Sequence, residues 1–518
     1  MAETVDLFVP LAELDDPLGP RLERALGWAR GQAGGLRVLR RSLDARKGRA
    51  LGQRLRVLVA RQGEALTPAA APAPPPQRWP AGRAAPRVVV VGSGPAGSWA
   101  ALRLAEAGVP VTIVEQGKPV QPRRHDLALL TRGQLAPSSN YCFGEGGAGT
   151  YSDGKLYTRA KDKGAIADVI ADLVRFGAPD EIAVEARPHV GSNRLPRVLQ
   201  ALRAHLVRLG VDYRFEATVA GLRAAGGRVR AVRLAGGDEL PADVVVLAVG
   251  HSARAVYAWA GAEGIALERK AIAIGVRIEH PQRLIDEIQY GAAAGHPKLP
   301  PAFYELTSAD SDRGVYSFCM CPGGWIVPAA TEADGVVVNG MSLSRRDSPF
   351  ANAGLVVTVA GADFGPAAAG PLAGIELQRR VEQAAFRAGG GRFRAPAQRL
   401  ADFLDGRASS SVGASSYRPG LVPGDLAQVL PDFLTKALRA GLRRMGARLP
   451  GFLFPDAVLV AAETRTSAPV RLLRDANTLQ SPSLEGLYPC GEGAGYAGGI
   501  VSAALDGARV AARVLAGN

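Results

Sequence analysis

Three kinds of hydrophobic pattern alternate along the chain. Unbroken apolar runs at Val88 to Val91, Val111 to Val114 and Val244 to Val249 read as strands buried on both faces, the pattern of a parallel sheet. The first of them runs into Gly92, Gly94 and Gly97 and then into a helix-periodic segment ending near Ala107, which predicts strand, glycine turn, helix. Apolar residues at helical spacing predict amphipathic helices over 162–176 and 198–209, and further helices over 374–385, over 426–445 and at the C-terminus through Leu515. Alternation predicts a hairpin of 213–219 with 228–234 about Gly226 and Gly227, and antiparallel strands over 273–278, 315–320, 325–328 and 335–341. A last strand is expected over 457–466, while 122–136 shows little periodicity of either kind.

The pattern divides the chain. Residues 1–65 read as a small α+β unit, with strands at 5–9, 36–43 and 55–59 and a helix at 21–29, a βαββ order compatible with a ferredoxin-like domain or a fragment of one. Residues 66–86 are crowded with Pro and Ala, which lack donors or side-chain reach, and read as a semi-rigid linker. The parallel-strand pattern occupies 87–260 and returns at 455–518, so 261–454 is expected to be an inserted α+β domain.

Composition narrows the classes. At 518 residues the chain exceeds one compact core, and 47% hydrophobic with 21% charged residues is ordinary for a globular enzyme. No run of about 18 apolar residues predicts a membrane span. The N-terminus lacks the basic-then-apolar order of a signal peptide, so a cytoplasmic location is expected. Four cysteines fit a reducing compartment; Cys319 and Cys321 share a strand face and are either a redox pair or buried thiols. No metal-ligand spacing is present, and no metal is expected. The net charge of +14 permits nucleic acid as a partner, and nine basic residues from Arg37 to Arg61 cluster on the N-terminal unit. No aromatic residues interleave with them, which favours an ordinary solvated face.

The glycine turn carries the chemistry. Gly92 suits a tight turn, Gly94 lets backbone approach a pyrophosphate, Gly97 permits close packing of helix on strand, and Glu115 ends the next strand near the spacing for a ribose contact. Helix N-terminal amides complete a dinucleotide site. Gly144, Gly146 and Gly149 also match a glycine fingerprint, but no strand precedes them. A loop this rich in glycine, ending in Ser152, Asp153 and Lys155, is expected to lie against a ligand. Gly486 to Ile500 repeats strand, glycines, an acid (Glu492) and a helix start, as a second backbone approach to an extended cofactor requires.

The early glycine turn with Glu115 and the late Gly491-Glu-Gly-Ala-Gly495 block resemble flavoproteins with a glutathione-reductase-type FAD fold. Further segments, Arg40 to Lys47, Phe143 to Leu156, Pro188 to Leu195, Phe318 to Gly324 and Gly491 to Gly499, are similar to a family of largely uncharacterised bacterial FAD-dependent dehydrogenases, over nearly the whole chain. The resemblance implies an α/β, Rossmann-like three-layer FAD-binding domain. It implies that Gly92, Ser93, Gly94, Pro95, Ala96, Gly97, Glu115 and Gln116 hold the ADP half. Gly491, Glu492, Gly498, Gly499 and Ile500, with Gly250, would meet ribityl and flavin. Gly146, Gly147, Ala148 and Gly149 would line the ring, with Lys155 as the catalytic candidate that stabilises the reduced anion. His189, Arg194 and Arg465 are weaker candidates for substrate contact.

The resulting expectation is an FAD enzyme that exchanges a hydride with a small-molecule substrate, the inserted domain covering the cofactor and selecting that substrate. NAD(P)H is a candidate diffusible reductant, although no second Rossmann fingerprint is present. Two alternatives stand beside it: a flavoprotein acting on RNA through the basic N-terminal unit, and an interaction protein with a structural FAD.

Overall fold

The computed structural model describes residues 2–66, 78–80, 82–308 and 313–517. Most of the expected linker, residues 67–77 and 81, lies outside the described residues. The N-terminal unit is β1 (Glu3–Pro10), α1 (Gly19–Leu26), β2 (Ala33–Asp44) and β3 (Gly52–Arg61) in an antiparallel sheet of order β1-β3-β2. The helix ends at Leu26, three residues short of the expected end, where Gly27 caps it in a left-handed conformation.

The next stretch is β4 (Val88–Val91), α2 (Pro95–Glu106), β5 (Val111–Val114), α3 (Val120–Leu130), α4 (Lys163–Arg175), α5 (Leu195–Arg208), β6 (Asp212–Arg214), β7 (Val219–Ala225), β8 (Arg228–Leu234), β9 (Glu239–Pro241), β10 (Val244–Leu247) and α6 (Arg254–Ala262). Helix α3 occupies the segment without periodicity. Its buried positions hold Arg123 and Asp126 alongside Val120, Leu127 and Leu130, so charge interrupts the apolar stripe that spacing looks for. The expected hairpin register is also corrected. Gly226 and Gly227, both at positive φ, join β7 to β8, whereas Tyr213 lies in β6 and pairs with β5.

The remaining elements are β11 (Leu267–Arg269), β12 (Ile272–Pro281), α7 (Gln282–Tyr290), β13 (Thr307–Ser308), β14 (Val315–Cys321), β15 (Gly324–Pro328), β16 (Val338–Ser342), β17 (Phe350–Val359), α8 (Ala373–Ala388), β18 (Ala395–Arg399), α9 (Leu400–Asp405), β19 (Leu421–Pro423), α10 (Asp432–Arg448), β20 (Val458–Glu463), β21 (Val470–Leu472), β22 (Leu487–Pro489) and α11 (Ile500–Ala516). The single helix expected over 426–445 is two pieces. Pro431 is extended, so a short turn at Leu426–Gln428 ends before α10 begins at Asp432.

Two large sheets result. A parallel sheet has the order β22-β10-β4-β5-β6, and a mainly antiparallel one has β13-β14-β17-β12-β20-β18-β19. Strand β20 pairs with β12 and β18, so the segment returning to the parallel sheet starts after Glu463 and not at 455. Each large sheet has its own buried cluster, and α11 packs closely on α2 beside the parallel one: a Cβ at Gly507 would lie 2.0 Å from the Ala96 carbonyl. Among the described residues, no helix is long and apolar enough to cross a membrane, and no cluster of three His, Cys, Asp or Glu side chains is placed to hold a metal.

Candidate functional site

The chain leaves β4 for β5 on one side, while β10 lies on the other, which makes the carboxyl ends of β4 and β10 the topological switch point. Glycines follow β4, β10 and β22 there: Gly92, Gly250 and Gly491. Gly92 has φ +100, and a Cβ on it would lie 2.4 Å from the Ala248 carbonyl; only glycine permits this approach of two strand ends. At Gly97 a Cβ would lie 2.0 Å from the Gly92 carbonyl, so α2 can sit on the turn only without a side chain. Pro95 takes the first turn of α2, where its missing N–H costs no bond.

Glu115 is buried at the end of β5. It accepts from the Ser93 N–H (3.0 Å) and hydroxyl (2.8 Å) with one oxygen, and from the Gly117 (2.9 Å) and Gly144 (3.1 Å) amides with the other. Those four donors match a carboxylate's acceptor capacity. The side chain therefore ties the first glycine turn to the second, a role that spacing alone did not supply. Gln116 follows it, half-buried.

The second glycine loop is held from beneath by Arg123, which sequence reasoning missed. Its guanidinium is fully buried and donates to the carbonyls of Asn140 (2.8 Å), Glu145 (2.8 Å), Tyr141 (3.0 Å) and Gly147 (3.0 Å). No formal ion pair neutralises it among the described contacts; a fork of donors spans four carbonyls instead. So held, the loop lies between two helix starts. A Cβ on Gly147 would meet the Gly94 Cα at 3.4 Å, and one on Gly149 would meet Ile500 at 2.9 Å. Ala148 between them is half-buried.

At the other strand end, Gly493 packs on Gly250, and the Tyr257 hydroxyl donates to the Gly493 carbonyl (2.8 Å). Between Gly491 and Gly493 stands Glu492, whose burial pushes its carboxyl up to about 7 against the pull of Lys270. A Cβ at Gly250, Gly498 or Gly499 would meet no heavy atom within 4 Å, so these backbones face open space. The 17-residue α11 starts there, at Ile500 with Gly499 before it, and its first amides have no partner within the helix. A glycine turn at the start of α2, and open space for a Cβ at Gly250, Gly498 and Gly499, are what an extended dinucleotide such as FAD requires of a backbone site.

Lys155 leaves the loop on its far side. Its ammonium donates to the Met320 carbonyl in β14 and lies 3.9 Å from the Cys319 sulfur and 4.0 Å from Asp153. Burial works against this charge, but Cys319, Cys321 and Asp153 overcome it and raise the pKa above lysine's usual value. Asp153 is held by the Ser342 hydroxyl and by Arg346 (2.6 Å). His189 bridges Lys155 through its backbone; burial, then Arg346, pulls its imidazole down to about 4. Arg194 is exposed at the start of α5. Arg465 is corrected from substrate contact to scaffold: it is buried and forks onto Glu382 (2.9 and 3.1 Å), which Arg254 also meets (2.8 Å).

The family model described as FAD binding domain matches residues 87–124, that of pyridine nucleotide-disulphide oxidoreductases matches 165–280, and that of the C-terminal-domain-like part of FAD-dependent proteins matches 271–466. A Clostridium beijerinckii protein named "Uncharacterized protein" is 45% identical over 434 residues, 83% of this chain and 80% of its own. Among solved structures, a geranylgeranyl bacteriochlorophyll reductase-like protein of Thermoplasma acidophilum is 14% identical, covering 83% of this chain and 78% of its own at a TM-score of 0.37. Glycine oxidase of Bacillus cereus is 12% identical, covering 84% and 96% at 0.33. Likeness at those scores carries no functional argument.

Proposed function

The chain belongs to the bacterial family of FAD-dependent oxidoreductases that includes the Clostridium beijerinckii protein, and from that premise we propose that it moves a hydride between FAD and an organic substrate received between the two large sheets. One observation carries the proposal: the glycine loop that lies on the turn at Gly94 ends in Lys155, whose ammonium touches β14 of the other sheet. FAD supplies the two-electron chemistry when bound.

The chain's own groups bind and orient. The turn from Gly92 to Gly97 and the start of α2 offer amides to the pyrophosphate, and Glu115 and Arg123 hold the two glycine loops at fixed separation. Glu492, with its raised pKa, would accept a hydrogen bond from a ribityl hydroxyl or, when protonated, donate one to it. The amides at Gly499 and Ile500 would offer the positive end of the α11 dipole to an electron-rich edge of the ring. Lys155, fixed by the Met320 carbonyl and Asp153, supplies a preorganised positive charge for the reduced anion. Residues 87–260 with 467–518 serve the cofactor, and 271–466 closes over it and selects substrate. NAD(P)H is the proposed reductant. The RNA reading is not favoured, because Arg41, Arg46, Arg54 and Arg56 of the N-terminal sheet sit in ion pairs with Glu185, Asp44 and Asp6.

An anaerobic visible spectrum of the purified protein, titrated with NADPH and separately with NADH, tests this reading. A flavin spectrum that one nucleotide bleaches is expected. K155M should keep the flavin yet be reduced about 100-fold more slowly. Absence of a flavin spectrum after adding FAD overturns the proposal.

A further inference from the structure

The end of β10 carries a hydrogen-bond chain that the hydride reading does not use. Gly250 turns there at φ +75 beside open space, and His251 follows it, half-buried. The His251 Nδ1 lies 2.8 Å from the Ser252 hydroxyl, that hydroxyl lies 3.4 Å from the Cys142 sulfur, and the sulfur lies 3.6 Å from the Ala329 carbonyl just past β15. The last two lengths suit sulfur, which is larger than oxygen and both a weak donor and a weak acceptor. Cys142 stands two residues before Gly144, so the chain joins the turn after β10, the second glycine loop and the inserted domain.

A carbonyl only accepts, and that sets the direction of the chain from its far end. The Cys142 thiol donates to Ala329, the Ser252 hydroxyl donates to the Cys142 sulfur, and the Ser252 oxygen is left to accept from the His251 Nδ1–H. The reverse order would leave the sulfur facing the Ala329 carbonyl with no proton between them. Burial, then Arg465 and Lys270, pull the imidazole down to about 4, so it is neutral at physiological pH. A neutral imidazole with its proton on Nδ1 has a bare Nε2. That nitrogen meets no hydrogen-bond partner among the described residues and is not sealed from solvent, so its lone pair is open to a ligand. The charged groups facing it are Arg465, which Glu382 pairs at 2.9 Å, and Lys270, which Glu492 attracts.

We propose that His251 is the catalytic base that takes the hydroxyl proton of an alcohol substrate while the carbinol hydrogen leaves as hydride, with Ser252 and Cys142 as positioning residues. The inference rests on the FAD reading and gives its substrate a chemistry. The O–H bond breaks toward His251 Nε2, the C–H bond breaks with its electron pair toward oxidised FAD, and a carbonyl forms on the substrate. The alcohol loses two electrons, FAD gains them, and the proton stays on the imidazole. When NAD(P)H supplies the electrons the same atoms move in reverse, and Nε2–H returns its proton to the carbonyl oxygen. The Ser252 oxygen, accepting from Nδ1–H, holds the ring in place and meets the charge that the base gains. An alcohol is favoured over an amine because the Lys270 charge beside His251 would repel an ammonium group.

Nitrogen-15 NMR of the histidine-labelled full chain, loaded with FAD and stripped of it, reads the tautomer directly. The resonances missing from H251Q should be those of an imidazole protonated at Nδ1. S252A removes the partner of that proton and C142A frees the Ser252 proton for Nδ1, so both should shift the ring toward the Nε2–H form that an unconstrained imidazole prefers. C142S keeps a hydroxyl in the chain and should leave the tautomer unchanged. An Nε2–H imidazole in the wild type at pH 7 overturns the proposal. On the loaded protein, anaerobic flavin bleaching is followed with benzyl alcohol, cyclohexanol and 1-butanol, and with benzylamine, cyclohexylamine and 1-butylamine. An alcohol should bleach the flavin, and H251Q, with FAD still bound, should bleach about 100-fold more slowly. Bleaching by amines alone, by none of the probes, or at the wild-type rate in H251Q overturns the assignment. Because the tautomer is read on the stripped chain too, a missing flavin spectrum sinks the FAD reading without masking the hydrogen-bond chain.

Discussion

The two large sheets solve opposite problems with their central strands. In the parallel sheet, β4 is Val-Val-Val-Val, buried throughout and free of polar side chains, and the site at its end is made of backbone. In the antiparallel sheet, β12 is buried over all but its last residue and yet carries Arg277, Glu279 and His280 inward. The first sheet offers amides that any sequence would supply once glycine opens the turn. The second offers side chains whose charges must be matched by partners from elsewhere in the chain. The backbone end should therefore respond to added atoms, and the side-chain end to lost partners and to pH.

The largest effect falls on the buried pair at the side-chain end. Arg277 is fully buried and donates to Glu463 (2.8 and 3.0 Å), Asn352 (2.8 Å) and Asn339 (3.2 Å). R277M strands the Glu463 carboxylate and should cost about 3–5 kcal/mol in urea unfolding, with R277M/E463L recovering most of it. If the single variant unfolds like the wild type, the contrast between the sheets fails.

His280 tests the pH half of the contrast. Its Nε2 meets the Phe452 carbonyl at 2.8 Å, its ring packs on Phe452 and Tyr304, and Nδ1 is buried with no partner among the described residues. Burial pulls its pKa down to about 4, against 6.5 for an unperturbed imidazole. The folded state then binds fewer protons than the unfolded one between those values. The histidine's contribution is intact above 6.5 and is lost as pH falls toward 4, by up to about 3 kcal/mol. Urea midpoints measured from pH 7 to 4 should fall less steeply in H280Q than in the wild type, with His189, which is pulled down to about 4 as well, keeping its own share of the slope.

G97A tests the backbone end. The added methyl would sit 2.0 Å from the Gly92 carbonyl, which should cost about 1–3 kcal/mol, independent of pH, and strip FAD as the turn moves away. G498A, whose methyl meets nothing within 4 Å, should unfold within about 0.5 kcal/mol of the wild type. Equal losses from both would remove the steric account of the turn.

The same difference decides what was legible in the sequence. The β4 turn could be read because glycines at fixed spacing and an apolar strand are local signals. Helix α3 could not, because Arg123 and Asp126 sit on its buried face and look like solvent residues. Strand β17 went unread because Ala, Asn and Gly dilute the alternation of its first half, although it lies between β14 and β12. At the candidate site, Lys155 was legible as the end of a glycine loop. Its partners at 319–321 and the Arg277–Glu463 pair come from segments far along the chain, and only the tertiary fold brings them together.

The smallest effect is expected where the N-terminal sheet meets the rest. Arg41 and Glu185 pair at 2.7 Å, with each side chain 36% exposed, so the Coulomb gain is screened and partly offset by ordering two long side chains. Beneath the pair, the Arg41 amide donates to the Val184 carbonyl (2.7 Å) and the Ala186 amide donates to the Arg41 carbonyl (2.8 Å), extending β2 by a parallel bridge. Those bonds use no side chain and survive E185A. The variant should therefore lose at most about 1 kcal/mol, and raised salt should shrink even that difference. A salt-insensitive loss above about 2 kcal/mol would mean that side-chain charge, and not backbone, fastens the small sheet, placing it with the antiparallel sheet in how it is held.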